Sequence, residues 1–281
     1  MYKCAVTVDI DLVSDLANPE DDRIRFQNEL RMLREILSEI PSLKLTLFIR
    51  IDSGAEQKYG SCTWFFDAFE KEIDWLRQHG HQLGWHLHSQ WALRGHEEKV
   101  LEEIRRYGEA AERKGVAETF RIGNSIMTNG IMNLLESAGV RYECSGLPRP
   151  HYPWIKDDIL WERTGQSCYY PASEDYESPG KRRRILEIPM STAAIPASYD
   201  SQRGVLRYVN PAYRPEVFVP ALTHLERDTV MIFHPHEMIE SNGQRHELLA
   251  YSPEALKANL QTAADRYQCV TIHDYAREFM E

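Results

Sequence analysis

At 281 residues the chain has the length of one large domain, and a chain of that size can bury about three quarters of its unfolded surface without disulfide staples. An apolar share of 42% and a charged share of 27% exclude disorder, collagen-like repeats and coiled coil. The net charge of −10, from 33 basic and 43 acidic residues, argues against broad binding to a phosphate backbone and so against a nucleic-acid partner.

No apolar run approaches the roughly 20 residues that cross a bilayer, so no membrane span is expected. The five cysteines (Cys4, Cys62, Cys144, Cys168 and Cys269) are odd in number and lack CxxC spacing, which fits neither a disulfide framework nor a zinc knuckle. The opening Met1-Tyr2-Lys3-Cys4-Ala5-Val6 reads as the lead into a strand rather than an export leader, so a reducing cytoplasm is the expected location.

Cys4 to Ile10 is the first expected strand. Asp21 to Ile40 follows as a helix, with Phe26, Leu30, Leu33, Leu37 and Ile40 at alternating spacings of four and three, and Pro41 ends it. Leu43 to Ile51 reads as a second strand. Phe66, Phe69, Ile73 and Leu76 mark one further helix that stops at Gly80. A strand from His81 to His88, a charged helix from Glu97 to Lys114, and a short strand from Thr119 to Gly123 come next. A helix ending at Gly139 and a strand from Val140 to Ser145 complete the first part.

The rhythm then breaks. Leu147 to Arg184 is rich in proline and aromatics, without clear periodicity, and reads as a functional loop insertion rather than core. Its Lys181-Arg182-Arg183-Arg184 is the one dense basic run, either a solvated loop or a phosphate contact. Alternation resumes with a strand from Ile185 to Met190, a helix near Pro215 to Leu225 and a strand from Thr229 to Phe233. Ser252-Pro253-Glu254 opens a well-signed helix, Gln268 to His273 is the last strand, and Asp274 to Phe279 the last helix. Seven or eight strands alternating with helices indicate an α/β fold, a barrel of β/α units forming one domain over 1–281, with an open doubly wound sheet as the alternative.

In such folds reactive side chains collect where strands end. Asp9 and Asp11 lie two apart on one side of the first strand, and two close carboxylates stay ionised only beside a cation. His86 and His88 repeat that spacing with imidazoles, a pair that can chelate one divalent ion and, with a carboxylate, make a three-ligand site. Arg121 is a guanidinium inside an apolar strand and needs a carboxylate partner, for which the acids of the first strand are nearest. His234-Pro235-His236 supplies a third pair, either member a candidate general acid, because imidazole titrates near neutral pH.

Taken in order, these motifs resemble the polysaccharide deacetylase family, the NodB-homology or carbohydrate esterase family 4 proteins, over nearly the whole chain. Thr7-Val8-Asp9-Ile10-Asp11 resembles the family's first motif, Gly80 to His88 the lead into its metal histidines, Arg121-Ile122-Gly123-Asn124 its arginine strand, and Met231-Ile232-Phe233-His234 its final strand. The resemblance implies a distorted (β/α)7–8 barrel. It also implies Asp9 as general base, Asp11, His86 and His88 as ligands of one divalent metal, Arg121 as the partner of Asp9, and His234 as catalytic acid. Zinc is the first expectation for the metal, with cobalt, nickel, manganese or iron as alternatives. The family's second metal histidine usually stands four positions after the first, which here is Gln90, so either His88 has taken that role or the site is altered. The implied reaction is removal of an acetyl group from an N-acetylated amino sugar. Candidate substrate contacts are His236 and Asn124 beside the motifs, and Trp154 and Tyr170 from the aromatic stretch, whose rings offer faces to a sugar. Hydrolysis of another C–N bond, or sugar binding by a decayed metal site, are the competing readings.

Overall fold

The computed structural model describes residues 1–11, 18–91, 95–148, 161–180, 183–201, 204–239 and 246–279. Its first strand, β1 (Lys3–Ile10), is buried from Cys4 to Ile10 on both faces, as a strand in the middle of a covered parallel sheet must be. Val6, Val8 and Ile10 face a large apolar core shared with Phe26, Leu30, Leu33 and Leu37 of α1 (Pro19–Glu39). Ala5 belongs to a second, smaller core with Phe48, Tyr142, Cys144 and Leu186. These are the two sides of a curled sheet. Helix α1 begins where its chemistry dictates: Asn18 accepts a hydrogen bond from the Glu20 amide, proline takes the first turn, and Glu20, Asp21 and Asp22 face the positive end of the helix.

The chain continues through β2 (Leu45–Arg50), α2 (Ser53–Tyr59), α3 (Trp64–Ala68), α4 (Glu70–Gln78), β3 (Gln82–Leu87), α5 (Glu97–Arg113), β4 (Thr119–Ile122), α6 (Asn129–Ser137) and β5 (Tyr142–Glu143). Then come β6 (Pro171–Ala172), β7 (Asp175–Pro179), β8 (Leu186–Glu187), β9 (Thr192–Ala194), β10 (Leu206–Tyr208), α7 (Pro215–Thr223), β11 (Thr229–Phe233), α8 (Pro253–Arg266), β12 (Gln268–Cys269) and α9 (Ile272–Ala276). One parallel sheet runs in the order β11-β1-β2-β3-β4-β5-β8, and β12 pairs with Lys3 and Cys4 of β1. The seam between β8 and β11 is bridged by single residues: the Ser191 amide donates to the Val230 carbonyl (2.9 Å), and the Ile232 amide to the Val209 carbonyl (3.1 Å). The result is the barrel of β/α units expected from the alternation, distorted as the family resemblance implies, with the strand ends carrying Asp9, His86, Arg121 and His234 on one rim.

Several boundaries differ from expectation, each for a local reason. The single helix expected over Phe66 to Leu76 divides at Phe69, which leaves helical geometry (φ −124°, ψ 36°) and packs its ring against Phe26 and Phe65. Helix α2 was not expected. It forms because the Asp52 carboxylate accepts the Ala55 amide (2.9 Å). The last strand is shorter than Gln268 to His273, because Thr271 caps α9 with its hydroxyl. The stretch read as loop insertion contributes to the core: Trp161 is fully buried, Tyr169 and Tyr176 nearly so, and β6 pairs with β7 as a hairpin. A second hairpin, β9 with β10, also escaped the sequence reading.

Candidate active site

The site is assembled from β1, β3, β4 and β11, whose ends converge because neighbouring parallel strands are held in register. His86 is the register partner of Arg121, and Val8 that of Phe233. On β1 the alternation that sends Val6, Val8 and Ile10 to the helices sends Thr7 and Asp9 the other way. Asp9 is buried, and its Oδ1 accepts from Arg121 Nη1 at 2.7 Å. The same Nη1 donates to Thr7 Oγ1 at 2.9 Å, and Arg121 Nε donates to the Cys144 carbonyl at 2.8 Å. The guanidinium lies 4.2 Å from the centre of the Phe48 ring. A buried arginine pinned on this many sides gives Asp9 a fixed orientation and a permanent counter-charge.

Asp11, His86 and His88 form the second part. Asp11 Oδ1 lies 3.1 Å from His86 Nε2 and 3.0 Å from His88 Nε2, and the two imidazole nitrogens are 3.0 Å apart. His86 Nδ1 faces the Arg121 carbonyl at 3.0 Å. A carbonyl only accepts, so Nδ1 carries the proton and the Nε2 lone pair is turned into the site. Burial alone would raise the Asp11 carboxyl, yet the imidazoles, His88 foremost, hold it well below the usual carboxylate range.

These residues fit a divalent metal. Asp11 Oδ1 is buried and has no hydrogen bond of acceptable geometry, although two imidazole nitrogens stand beside it. Two imidazoles and a carboxylate form a donor set suited to zinc and its neighbours. Their spacing of 3.0 to 3.1 Å is close to the edge of about 3.3 Å that a tetrahedron with bonds of 2.0–2.1 Å requires. Gln90 is exposed and does not line the pocket.

His88 lies just beyond β3, and two residues hold it there. Asp52 Oδ2 accepts its backbone N–H at 3.0 Å while also receiving Arg50 Nε at 2.6 Å. Its ring rests on Gly123, where any Cβ would come within 2.4 Å of His88 Nε2. Across the pocket, His234 Nε2 is 3.6 Å from Asp11 Oδ2, and its Nδ1 is 3.4 Å from Glu237 Oε1. Glu237 is itself fixed, accepting the His234 amide and Asn210 Nδ2, both at 2.9 Å. Burial by itself would lower the His234 imidazole, but Glu237 first, then Asp11 and Asp9, push it up to about 9. His236 goes the other way, to about 4, through burial and then the neighbouring His234.

Asp9, Asp11, His88, Arg121, Asn124 and His234 thus line one pocket of about 260 Å³, walled on its apolar side by Leu147, Met190 and Ile232. Two of the expected substrate contacts are placed elsewhere. His236 stands beside His234, with ring centres 5.2 Å apart, outside the pocket lining. Tyr170 packs on the second core, and its hydroxyl donates to the Phe279 carbonyl at 3.2 Å, so it offers no ring face to the pocket. Trp154, Lys181 and Arg182 lie outside the described residues. The sequence reading missed Asp52, Gly123, Asn210 and Glu237. Asp52 follows a strand and Glu237 stands three residues after His234 in a turn, so the strand-end rule extended by one turn finds both.

No family model matches the chain, and no curated protein matches it. Solved structures do. One from Mycobacterium smegmatis, assigned as a polysaccharide deacetylase, aligns with a TM-score of 0.58 at 18% identity, over 98% of this chain and 89% of its own. One from Parabacteroides distasonis, assigned as a glycoside hydrolase/deacetylase, gives 0.61 at 13% identity, over 96% of this chain and 68% of that one. The 4-α-glucanotransferase of Thermococcus litoralis gives 0.56 at 12% identity, and there this chain spans 38% of the larger protein. At such identities the likeness is one of fold.

Proposed function

We propose that this chain, which shares its fold with structures assigned as polysaccharide deacetylases, is a metal-dependent hydrolase that removes the acetyl group from an N-acetylated amino sugar. The observation that carries this reading is the convergence of Asp9, Asp11, His88 and His234 on one pocket, with His86 completing the Asp11–His86–His88 set. A divalent ion held by Asp11, His86 and His88 would supply Lewis acidity toward water and toward the amide carbonyl.

The remaining steps belong to side chains of this protein. Arg121 Nη1 occupies Asp9 Oδ1, which leaves Asp9 Oδ2, 3.8 Å from His86 Nε2, to take the proton of the attacking water. His234, protonated at neutral pH, has its Nδ1 toward Glu237, which leaves Nε2–H to be given to the departing amine. The acid and the base act from opposite sides of one amide. Leu147, Met190 and Ile232 give the pocket a dry side, where charge interactions are strengthened. A cytoplasmic precursor suits the reading: a nucleotide sugar, a lipid-linked sugar or a small amino-sugar metabolite of surface-polysaccharide synthesis.

The test is acetate release from a panel of N-acetylated sugars and nucleotide sugars, before and after chelation. Activity abolished by a chelator and restored by zinc, cobalt or nickel supports the reading. Undiminished turnover by metal-free protein ends it.

A further inference from the structure

The backbone after β4 does something costly. Asn124 (φ 59°) and Ser125 (φ 55°) are consecutive non-glycine residues in the left-handed region. Such a conformation persists only where surrounding contacts impose it. The turn matters to the pocket in two ways: Asn124 is exposed there, and Gly123, its predecessor, is the floor on which the His88 ring sits.

The stretch between β5 and β6 supplies a contact to this turn. Trp161 is fully buried, and its Nε1–H donates to the Ser125 carbonyl at 2.6 Å. That carbonyl has left the ladder and needs a donor. The indole is held in turn by the hairpin of β6 and β7, meeting the Tyr176 ring edge-on with centres 5.0 Å apart at 82°. The hairpin is docked on α6 by a two-way amide clasp. Asn129 Nδ2 donates to the Glu174 carbonyl (2.7 Å), and Asn129 Oδ1 accepts the Tyr176 amide (2.9 Å).

The geometry points to Trp161 as a positioning residue of the site, one that locks the Asn124–Ser125 turn so that Asn124 faces the substrate and Gly123 seats His88. It rests on the deacetylase reading of the pocket. Asn124, carrying one donor and one acceptor group at the pocket edge, is then a specificity residue for a sugar hydroxyl or the acetamide.

Trp161→Phe tests this, because it keeps an aromatic ring in the core and deletes the donor, and rescue by Ser125→Gly separates that loss from the loss of ring volume. Three quantities are followed: amide hydrogen exchange over residues 123–126, zinc affinity by titration, and KM and kcat for acetate release. Exchange in the turn should rise about tenfold or more, zinc affinity should fall several-fold, and KM should rise more than kcat falls. Adding Ser125→Gly, which takes a left-handed φ without strain, should return zinc affinity toward that of the unmodified protein. A role in core packing alone predicts a lowered Tm with unchanged exchange in the turn and no rescue by Ser125→Gly, and that result overturns the proposal. If the unmodified protein binds no zinc, the deacetylase reading falls. Unchanged exchange in Trp161→Phe then overturns the positioning role as well, and raised exchange upholds the lock on the turn.

Discussion

Two acid pairs at strand ends of the barrel are treated oppositely. Asp9 and Asp11, two apart on β1, are ringed by basic side chains: Arg121 at 2.7 Å, His88 at 3.0 Å, His86 at 3.1 Å and His234 at 3.6 Å. Glu143 and Glu187 are register partners on β5 and β8, both fully buried, and among the described residues neither forms an ion pair. Their donors are neutral: the Ser145 amide at 3.1 Å and the Gly146 amide at 3.0 Å. Burial first, then the facing Glu143, raises Glu187 well above the usual carboxylate range. The Asp11 carboxyl is held low where basic groups converge, and the Glu187 carboxyl is pushed up where they do not. The first arrangement provides chemistry at the rim, and the second is internal architecture.

The sharpest way to break this contrast is at the rim. His234→Asn removes the proposed acid and should lower turnover by about 100- to 10,000-fold with the metal retained. Glu237→Gln removes the main cause that raises His234. The alkaline limb of the pH–rate profile, set by loss of the His234 proton, should therefore move to lower pH. An unmoved limb would separate His234 from the catalytic proton.

A smaller effect sharpens the metal assignment. His88→Ala should weaken zinc binding far more than Gln90→Ala, since the imidazole of His88 and not the amide of Gln90 faces Asp11. Titration of the two variants decides it, and equal affinities would exclude His88 as a ligand.

The smallest effect falls on the second pair. An acid whose folded pKa is raised binds its proton more tightly in the native state than in the unfolded one. Stability therefore falls as pH rises above the ordinary value of 4.5 toward the raised one. Glu187→Gln mimics the protonated form and should remove that slope, so that the variant gains stability relative to the unmodified protein at pH 8. Urea unfolding of both proteins at pH 5 and pH 8 measures it, and parallel pH dependences would mean that the Glu187 carboxyl is not raised.

The contrast also explains what could be read in advance. Asp9-x-Asp11 and His86-x-His88 announce themselves, because strand period puts i and i+2 on one face within a few residues of sequence. Glu143 and Glu187 meet only through the pairing of two-residue strands, so nothing local links them. The long strands and amphipathic helices were legible from period, whereas β6, β7, β9 and β10 are too short to show one. Arg121 was legible as a charge in an apolar strand. Trp161 was grouped with its aromatic neighbours as loop, although its burial and its bond to Ser125 place it beneath the site.

The central claim is that the two aspartates of β1 have different duties, one toward the proton and one toward the metal. Zinc content and turnover measured together on Asp9→Asn and Asp11→Asn test it most directly. The account predicts that Asp9→Asn keeps its zinc and loses turnover by about 100-fold or more, while Asp11→Asn loses both. Zinc lost from Asp9→Asn and kept by Asp11→Asn would contradict it.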